Sequence, residues 1–270
     1  MQPGKPYSVV RKNNVTISTP LDAKGTIIFA HGFGTDQSAW KDVAAAFSSD
    51  YQLVLYDNVG GGQADEASYS RNKYDSLHSY VADLLDICAE FDIKDAIMVG
   101  HSVSGMISLL AGIKAPQHFA KMILIGATAR YLNDKDYVGG FDQAGLDAIY
   151  AAMTNNYFSW VSGFAPAAMA NPDKPQLAES FAQTLSTIRP DIAQSVAHVI
   201  FQSDHRKDLP LFNIETLLLQ TKHDIAVPLE AAQYLNNNIK NSILKVVEAE
   251  GHFPHISAPA EIIAAIKEYL

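Results

Sequence analysis

The sequence is poor in cysteine, since Cys88 is the only one among 270 residues. A single cysteine excludes an intrachain disulfide, and disulfides are typical of secreted proteins. The N-terminal stretch MQPGKPYSVVRKNNVTIS also lacks the apolar core of a signal peptide. These absences together predict a cytoplasmic protein.

Positive charge is scarce as well, because 20 lysines and arginines stand against 29 aspartates and glutamates and give a net charge of −9. Binding to nucleic-acid backbones or to anionic lipid requires clustered basic side chains. No apolar run approaches the roughly 18 residues that span a bilayer. We therefore expect neither nucleic acid nor a membrane among the partners.

What the sequence does contain is an alternation of short β-type runs with helical patterns. The runs that predict strands cover residues 26–30, 51–56, 96–99, 122–125, 216–220 and 243–247. Between the second and third runs, Leu77, Val81, Leu84, Cys88 and Phe91 recur every three or four positions and mark the apolar face of a helix. The alternation predicts an α/β fold in which helices cover both faces of a mostly parallel sheet.

The alternation stops between residues 134 and 208, where helical segments follow one another without a strand. Pro190 is well placed to begin one of these helices. We interpret 134–208 as a helical lid inserted into a core domain formed by residues 1–133 and 209–270. The side chains expected to line a substrate pocket beneath it are His101, Tyr131, Phe141, Tyr150, Phe164, Phe181 and Phe201.

The stretch IMVGHSVSGMIS, residues 97–108, joins a predicted strand to a predicted helix and has Ser102 at the corner. A serine hydroxyl becomes nucleophilic when a base takes its proton and hydrogen-bond donors stabilise the oxyanion that it creates. A sharp turn from strand to helix pushes its corner side chain out above the sheet edge. We therefore interpret Ser102 as a nucleophile rather than a buried serine at an ordinary junction. Ser104 replaces the glycine usual at the fifth position of this motif, and we expect so small a residue to be tolerated.

The general base and its acid partner should follow later in the chain, each after a strand. Asp224 comes just after the run TLLLQ, and His252 comes just after the last predicted strand. Asp224 would orient the imidazole while His252 takes the serine proton. Asp204 and Asp208 compete for the acid role, but both lie in the predicted lid.

His252 also forms an H-x-x-H pattern with His255, and His223 is a further histidine near the predicted acid. The pattern is weak as a zinc motif because no helical glutamate and no third ligand stand near it. The sequence therefore predicts neither a metal nor an organic cofactor.

Two backbone N–H groups are expected to form the oxyanion hole. One belongs to Val103, directly after the serine, and the other to Phe33 in the segment FAHGFGTDQSAW. The nearby segment YDNVGGGQAD lacks the spacing of a phosphate-binding or dinucleotide-binding loop. We expect Asp57 and residues 60–62 to form a tight structural turn beside the site.

The motifs HGFGTDQSAW, GHSVSGMI, YLNDKDYVGGF, RPDIA, FQSDHR and GHFPHIS together resemble one branch of the α/β-hydrolases. That branch contains the bacterial stress-response regulator RsbQ and the plant karrikin and strigolactone receptors, and the similarity covers nearly the whole chain. Ser104 is the residue that the plant receptors carry at this position. The resemblance implies a triad of Ser102, Asp224 and His252, with a four-helix lid over a small apolar pocket and the same two oxyanion donors.

The resemblance also implies what the protein does. One implied function is hydrolysis of a small apolar ester or lactone, of the butenolide kind, through an acyl-enzyme. The other is signalling, because RsbQ-like proteins activate a partner phosphatase and the plant receptors recruit partners through the lid. The acidic chain without an attached domain favours a stand-alone bacterial protein of the RsbQ kind. A third alternative, non-hydrolytic chemistry on the same scaffold, is favoured by no residue in the sequence.

Overall fold

A seven-stranded sheet forms the centre of the protein in the computed structural model, which describes residues 8–270. The strands are β1 (Thr16–Ser18), β2 (Thr26–Ala30), β3 (Gln52–Tyr56), β4 (Ala96–His101), β5 (Phe119–Ile125), β6 (Glu215–Gln220) and β7 (Ser242–Val246). Their order across the sheet is β1-β3-β2-β4-β5-β6-β7, and β1 alone runs antiparallel to its neighbour. Residues 1–7, with which the predicted core domain begins, lie outside the described range.

The sheet confirms the predicted α/β class and contains all six predicted strands. The largest difference in their ends is at β5, which begins at Phe119 instead of Met122. Sequence analysis missed β1, because this edge strand is three residues long and has two exposed side chains around a half-buried Ile17. So short a run carries too little alternation to be recognised.

Helices cover both faces of this sheet. The α-helices within residues 8–270 are α1 (Val9–Lys12), α2 (Lys41–Ala45), α3 (Leu77–Glu90), α4 (Val103–Lys114), α5 (Gln143–Asn155), α6 (Tyr157–Met169), α7 (Pro175–Thr187), α8 (Pro190–Phe201), α9 (Leu229–Asn238), α10 (Pro254–Ser257) and α11 (Pro259–Tyr269). Alternate residues of a strand face opposite sides. In β2, Ile28 packs in the core that holds α3 and α4, whereas Ile27 and Phe29 pack in the core that holds α2 and α11. Cys88 on α3 is fully buried in the first of these cores, and burial raises the pKa of its thiol to about 12.

Helices α5 to α8 follow one another between β5 and β6 and form the predicted four-helix lid. Pro190 lies in the first turn of α8, as predicted. The hydroxyl of Tyr157 on α6 donates a hydrogen bond of 2.8 Å to the carbonyl of Leu185 on α7, which fastens two lid helices together. The domain limits at residues 134 and 208 stay a prediction.

The chain leaves the core and returns to it through two neighbouring segments. Arg130 and Asp204 form an isolated antiparallel bridge there, and their side chains are 2.7 Å apart. Arg206 pairs with Asp134 at 2.8 Å and with Asp204 at 2.7 Å. This cluster of two arginines and two aspartates holds together the two connections between lid and core.

Candidate active site

Ser102 lies at a sharp corner between β4 and α4, with φ 55° and ψ −126°. A residue other than glycine rarely adopts this backbone region, which costs of order 1–3 kcal/mol and occurs mostly at functional sites. The backbone N–H of Ser102 donates to the carbonyl of Ile125 at 2.8 Å, which fixes the corner to β5. Glycine is required at position 100, because a Cβ there would lie 2.7 Å from the Ser104 carbonyl oxygen.

The side chains of Ser102, His252 and Asp224 form one continuous chain of hydrogen bonds. His252 Nε2 lies 2.8 Å from Ser102 Oγ, and His252 Nδ1 lies 2.7 Å from Asp224 Oδ2. A carboxylate only accepts hydrogen bonds, so Nδ1 carries the proton and Nε2 is left to accept the serine hydroxyl. The geometry is that of a nucleophile paired with its general base.

The loop after β6 holds the Asp224 carboxylate in place. Its Oδ1 accepts the backbone N–H groups of Ala226 and Val227 at 2.8 and 3.1 Å. Its Oδ2 faces His252 and also accepts Gln220 Nε2 at 3.3 Å. The two oxygens are thereby divided between the loop and the imidazole.

His252 follows β7 and is fixed from two sides. Its backbone N–H donates to the carbonyl of Ala168 in lid helix α6 at 2.8 Å, and its own carbonyl accepts His101 Nε2 at 2.7 Å. Gly251 precedes it with a φ of 80°, and a Cβ there would lie only 2.2 Å from the Met169 carbonyl oxygen. Lid and core therefore meet directly at the loop that carries His252.

The competing acids and histidines have other partners. Asp204 pairs with Arg130 and Arg206 in the cluster described above, and Asp208 accepts His205 Nδ1 at 2.9 Å. His223 is exposed and lies 2.9 Å from Glu250. Asp224 is the acid that reaches His252.

Phe33 and Val103 border the same side of the corner. Val103 is the first residue of α4, and Phe33 lies in the turn after β2. Among residues 8–270, neither backbone N–H donates a hydrogen bond to a protein group. Both residues also line one small cavity. Two free N–H groups beside a nucleophile are what an oxyanion hole requires.

Comparison with known proteins places the chain in a family. A family model for the α/β-hydrolase fold matches residues 25–259. Over 245 residues, the chain is 41% identical to the strigolactone esterase D14 of Arabidopsis thaliana, covering 90% of this chain and 91% of the relative. It is also 41% identical over 246 residues to the karrikin insensitive 2 receptor CA of Petunia hybrida, covering 91% of each. The chain belongs to the α/β-hydrolase family.

Within that family it belongs to the branch that contains these plant receptors and esterases, which confirms the resemblance seen in its motifs. A solved structure of a hydrolase from Oleispira antarctica is also similar, with a TM-score of 0.93 and 30% identity over 97% of this chain and 96% of that chain. The RsbQ-like, bacterial character stays a prediction.

The predicted pocket residues of this α/β-hydrolase fall into separate groups. The Tyr131 hydroxyl lies 3.3 Å from Ser102 Oγ, and burial raises the pKa of the phenol. The ring centroids of Tyr131 and Phe201 are 5.1 Å apart in a T-shaped contact, and those of Phe201 and Phe141 are 5.4 Å apart. These three aromatic residues form a wall beside Ser102.

Phe181 lies against the loop of residues 32–35, which carries the Phe33 N–H and is called the oxyanion loop below. The Phe181 ring packs 4.4 Å from Phe253 and comes within 3.0 Å of where a Cβ on Gly34 would be. Phe164 lies farther out, 6.1 Å from Phe181, and stacks on Trp160 at 4.9 Å.

Tyr150 and His101 have positions other than the expected pocket lining. Tyr150 stacks on His198 at 3.6 Å and so joins α5 to α8 inside the lid. His101 is fully buried beneath the triad, where it supports the His252 carbonyl. Aromatic side chains of a lid pack against one another as well as against a ligand. The sequence alone does not distinguish a side chain that packs within the lid from one that lines the pocket.

The cavity that Phe33 and Val103 border is lined chiefly by residues that sequence analysis did not select. From the lid come Ile188, Val196 and Ile200, and from the core come Asn58 and Val59. The four-residue spacing of Val196 and Ile200 on α8 is a signal that could have identified this face. The cavity volume is about 30 Å³, room for roughly two water molecules.

Two buried histidines lie behind the triad with incompletely satisfied rings. His101 Nδ1 and both ring nitrogens of His255 have no hydrogen-bond partner among residues 8–270. His255 stacks on Trp40 at 4.4 Å and lies 4.3 Å from His101. Burial, reinforced by the neighbouring histidines, holds the pKa of His101 well below its usual value and lowers that of His255 to about 3. Both rings are therefore neutral at neutral pH.

We expect His255 to make the fold sensitive to mild acid. In the unfolded chain it takes a proton below about pH 6.5, whereas in the folded protein it stays neutral down to about pH 3. Stability is thus fully present above pH 6.5 and falls as pH decreases towards 3, by up to about 1.4 kcal/mol per pH unit. The variant His255→Phe should lose roughly 2 kcal/mol less than wild type between pH 7 and pH 5. Urea unfolding at the two pH values measures this difference, and equal losses in both proteins would contradict it.

Proposed function

We propose that this α/β-hydrolase cleaves a small apolar ester or lactone through an acyl-enzyme formed on Ser102. The observation that carries the proposal is the hydrogen-bond chain from Ser102 through His252 to Asp224. The three residues follow β4, β7 and β6, respectively. The carboxyl ends of parallel strands meet at one edge of a sheet, and this is where α/β-hydrolases place a Ser-His-Asp triad.

In the first half of the reaction, His252 Nε2 takes the proton of Ser102 as Oγ bonds to the substrate carbonyl carbon. The carbonyl oxygen becomes an oxyanion, for which the N–H groups of Phe33 and Val103 are the donors. The bond from carbon to the leaving oxygen then breaks, and His252 returns its proton to that oxygen. A lactone reacts in the same way, except that its leaving oxygen remains tethered to the acyl group.

In the second half, a water molecule attacks the acyl carbon while His252 takes one of its protons. The oxyanion forms again and collapses with release of Ser102, whose oxygen recovers the proton from His252. Asp224 stabilises the imidazolium in both halves without becoming protonated. The water consumed and the acid released balance the overall hydrolysis.

The substrate class follows from the cavity and from the relatives. The cavity walls are mostly apolar, with Val59, Ile188, Val196 and Ile200 among them. Relatives at 41% identity are a strigolactone esterase and a karrikin receptor, which points to an apolar butenolide-type lactone. Phe33 and Val103 line the cavity, but Ser102 and His252 do not, and its volume is about 30 Å³. Because small-molecule sites usually enclose about 300–1,000 Å³, the cavity must widen towards Ser102 before such a ligand binds. The lid helix α8, which supplies Val196 and Ile200, is the element placed to move.

The test offers two substrates to the wild-type enzyme, p-nitrophenyl acetate and a butenolide that carries an aryloxy leaving group. With p-nitrophenyl acetate we expect a burst of nitrophenol equal to the enzyme concentration, followed by slower steady turnover, because an acyl-enzyme accumulates. In the butenolide the aryloxy group is attached to the ring carbon that bears the lactone oxygen. Ring opening by Ser102 therefore leaves an aryl hemiacetal, which collapses to an aldehyde and expels the phenol in the same burst. Absence of both burst and turnover with both substrates would contradict the proposal.

A second function, ligand-gated signalling with slow hydrolysis, is supported by the lid. Helix α6 presents Phe158 to solvent with 59% of the residue exposed. Arg189, at the start of α8, pairs with Glu66 of the core at 2.5 Å, so movement of the lid would change the surface at that junction. The partner would bind the lid, and in an RsbQ-like stress response it would be a phosphatase-type regulator. The cytoplasmic location expected from the sequence stays part of this proposal.

Affinity capture from the native host tests the signalling function. The bait proteins are wild type, Ser102→Ala and Phe158→Asp, each with and without the aryloxy butenolide. A partner that requires the ligand and is lost with Phe158→Asp would support signalling through the lid. Capture that is the same in every condition would contradict it.

A further inference from the structure

Beside the triad lies a cluster of polar side chains that the proposed reaction does not use. We infer that Ser104 is a positioning residue, whose hydroxyl joins the two halves of the oxyanion hole and keeps the Phe33 N–H aligned. The inference rests on the proposed function, because it assigns Ser104 a role in that reaction. Three groups of contacts support the inference, and together they connect the loop that carries Phe33 to helix α4.

The first group fixes the peptide between Gly32 and Phe33. The Gly32 carbonyl accepts His31 Nδ1 at 2.8 Å, Thr35 Oγ1 at 3.0 Å and the Thr35 N–H at 3.4 Å. A peptide group is planar, and in the trans form its C=O and N–H point in opposite directions. Three donors on the Gly32 oxygen therefore also set the direction of the Phe33 N–H.

The second group fixes the His31 ring, which is 2% exposed. Since a carbonyl oxygen only accepts, Nδ1 must carry the proton that His31 donates to Gly32. Nε2 is then the acceptor, and it takes the backbone N–H of Asn58 at 2.9 Å. Both ring nitrogens are used, and the loop after β3 that contains Asn58 sets the ring orientation.

The third group brings in Ser104, which is fully buried on α4. Its hydroxyl donates to the His31 carbonyl at 2.5 Å and accepts Asn58 Nδ2 at 3.1 Å. Asn58 Nδ2 also donates to the His31 carbonyl at 3.0 Å, which closes a three-membered cluster. Helix α4 carries Val103, the second oxyanion donor. The Ser104 hydroxyl thus ties the helix that bears one donor to the loop that bears the other.

A glycine at position 104 would have no hydroxyl and could not make this connection. Ser104, which replaces the usual glycine of the motif, therefore adds a hydrogen-bonded cross-link between helix α4 and the loop that carries the Phe33 N–H. A hydrogen-bond donor helps the reaction only if it already points at the developing oxyanion. Removal of the cross-link should therefore affect the transition state more than the bound substrate.

The experiment compares Ser104→Ala with Ser108→Ala. Ser108 is also fully buried on α4, and its hydroxyl donates to the Ser104 carbonyl at 2.6 Å without reaching the oxyanion loop. For Ser104→Ala we expect kcat with p-nitrophenyl acetate to fall about tenfold at unchanged KM, which is less than the roughly 10²- to 10³-fold cost of losing an oxyanion donor. For Ser108→Ala we expect wild-type kcat.

A pair of inhibitors separates positioning from a merely structural role. An aryl trifluoromethyl ketone binds Ser102 as a hemiketal with an oxyanion, whereas the matching methyl ketone binds without one. Affinity for the trifluoromethyl ketone should fall about tenfold in Ser104→Ala, in step with kcat, and affinity for the methyl ketone should not change. Equal losses for both ketones, or the same losses in Ser108→Ala, would overturn the inference.

A second variant keeps the inference testable if Ser104→Ala folds poorly. Asn58→Ala removes the Nδ2 contacts from a loop and leaves its backbone bond to His31 in place. Asn58→Ala alone should lower kcat and the affinity for the trifluoromethyl ketone while the affinity for the methyl ketone stays the same, and wild-type values for all three would overturn the inference. Where Ser104→Ala folds, the double variant should lose less than the product of the two single losses, because the two side chains share one contact cluster. Strictly multiplicative losses, or wild-type kcat in both single variants, would overturn the inference. Wild-type enzyme without turnover and without a hemiketal would instead overturn the proposed function, and the inference with it.

Discussion

Replacement of Ser102 by alanine is expected to lower kcat for p-nitrophenyl acetate by about 10⁶-fold, as loss of the nucleophile does in other serine hydrolases. Among residues 8–270, Ser102 Oγ is the group that hydrogen-bonds to His252 Nε2, at 2.8 Å. What activity remains would come from water and from the oxyanion donors. Turnover is measured by nitrophenol release, and formation of the acyl-enzyme is measured by rapid mixing.

The same change should leave the fold intact. Ser102 is buried, its backbone bond to Ile125 does not involve the side chain, and alanine has the same Cβ at this strained corner. We therefore expect a free energy of unfolding within about 1 kcal/mol of wild type, and the variant Ser108→Ala serves as a matched buried serine. Turnover by Ser102→Ala within tenfold of wild type would exclude Ser102 as the nucleophile.

Replacement of Asp224 by asparagine is expected to lower kcat by about 10⁴-fold through the wrong histidine tautomer. The N–H groups of Ala226 and Val227 select the asparagine oxygen at the Oδ1 position, so the new amide nitrogen faces His252. An amide nitrogen donates, so Nδ1 must become the acceptor and the proton moves to Nε2. Protonated Nε2 no longer accepts the proton of Ser102.

The control for this prediction is Asp208→Asn, which changes an acid that the sequence also offers. Asp208 pairs with His205 and does not contact the triad. We expect its kcat to stay within about twofold of wild type. A similar loss in both variants, or near-normal turnover by Asp224→Asn, would contradict the role of Asp224.

The parts of the site that follow local rules could be predicted from the sequence. A nucleophile at a strand-to-helix corner, and an acid and a base just after later strands, are fixed by the order of elements along the chain. The structure brings Ser102, Asp224 and His252 together as those rules predict. Their catalytic roles remain proposals that the two substitutions test.

The pocket could not be predicted in the same way, because it depends on how separate helices pack. Aromatic residues of the lid were expected to face the substrate, yet Tyr150 stacks inside the lid and Phe164 lies behind Phe181. Val196 and Ile200 face the cavity because α8 lies above the oxyanion loop. The contacts of Ser104 could not be predicted either, because they also depend on how separate elements pack. Its sequence position suggests a tolerated substitution, and only the fold brings it to His31 and Asn58.

The role of Ser102 as the activated nucleophile is tested most directly by the intact-protein mass after treatment with a p-nitrophenyl alkylphosphonate. We expect wild type to gain one phosphonyl group, Ser102→Ala to gain none, and Asp224→Asn to be labelled far more slowly than Asp208→Asn. Peptide mapping should place the added mass on Ser102. A label on another residue, or equal labelling of Ser102→Ala and wild type, would contradict the claim that Ser102 is the activated nucleophile.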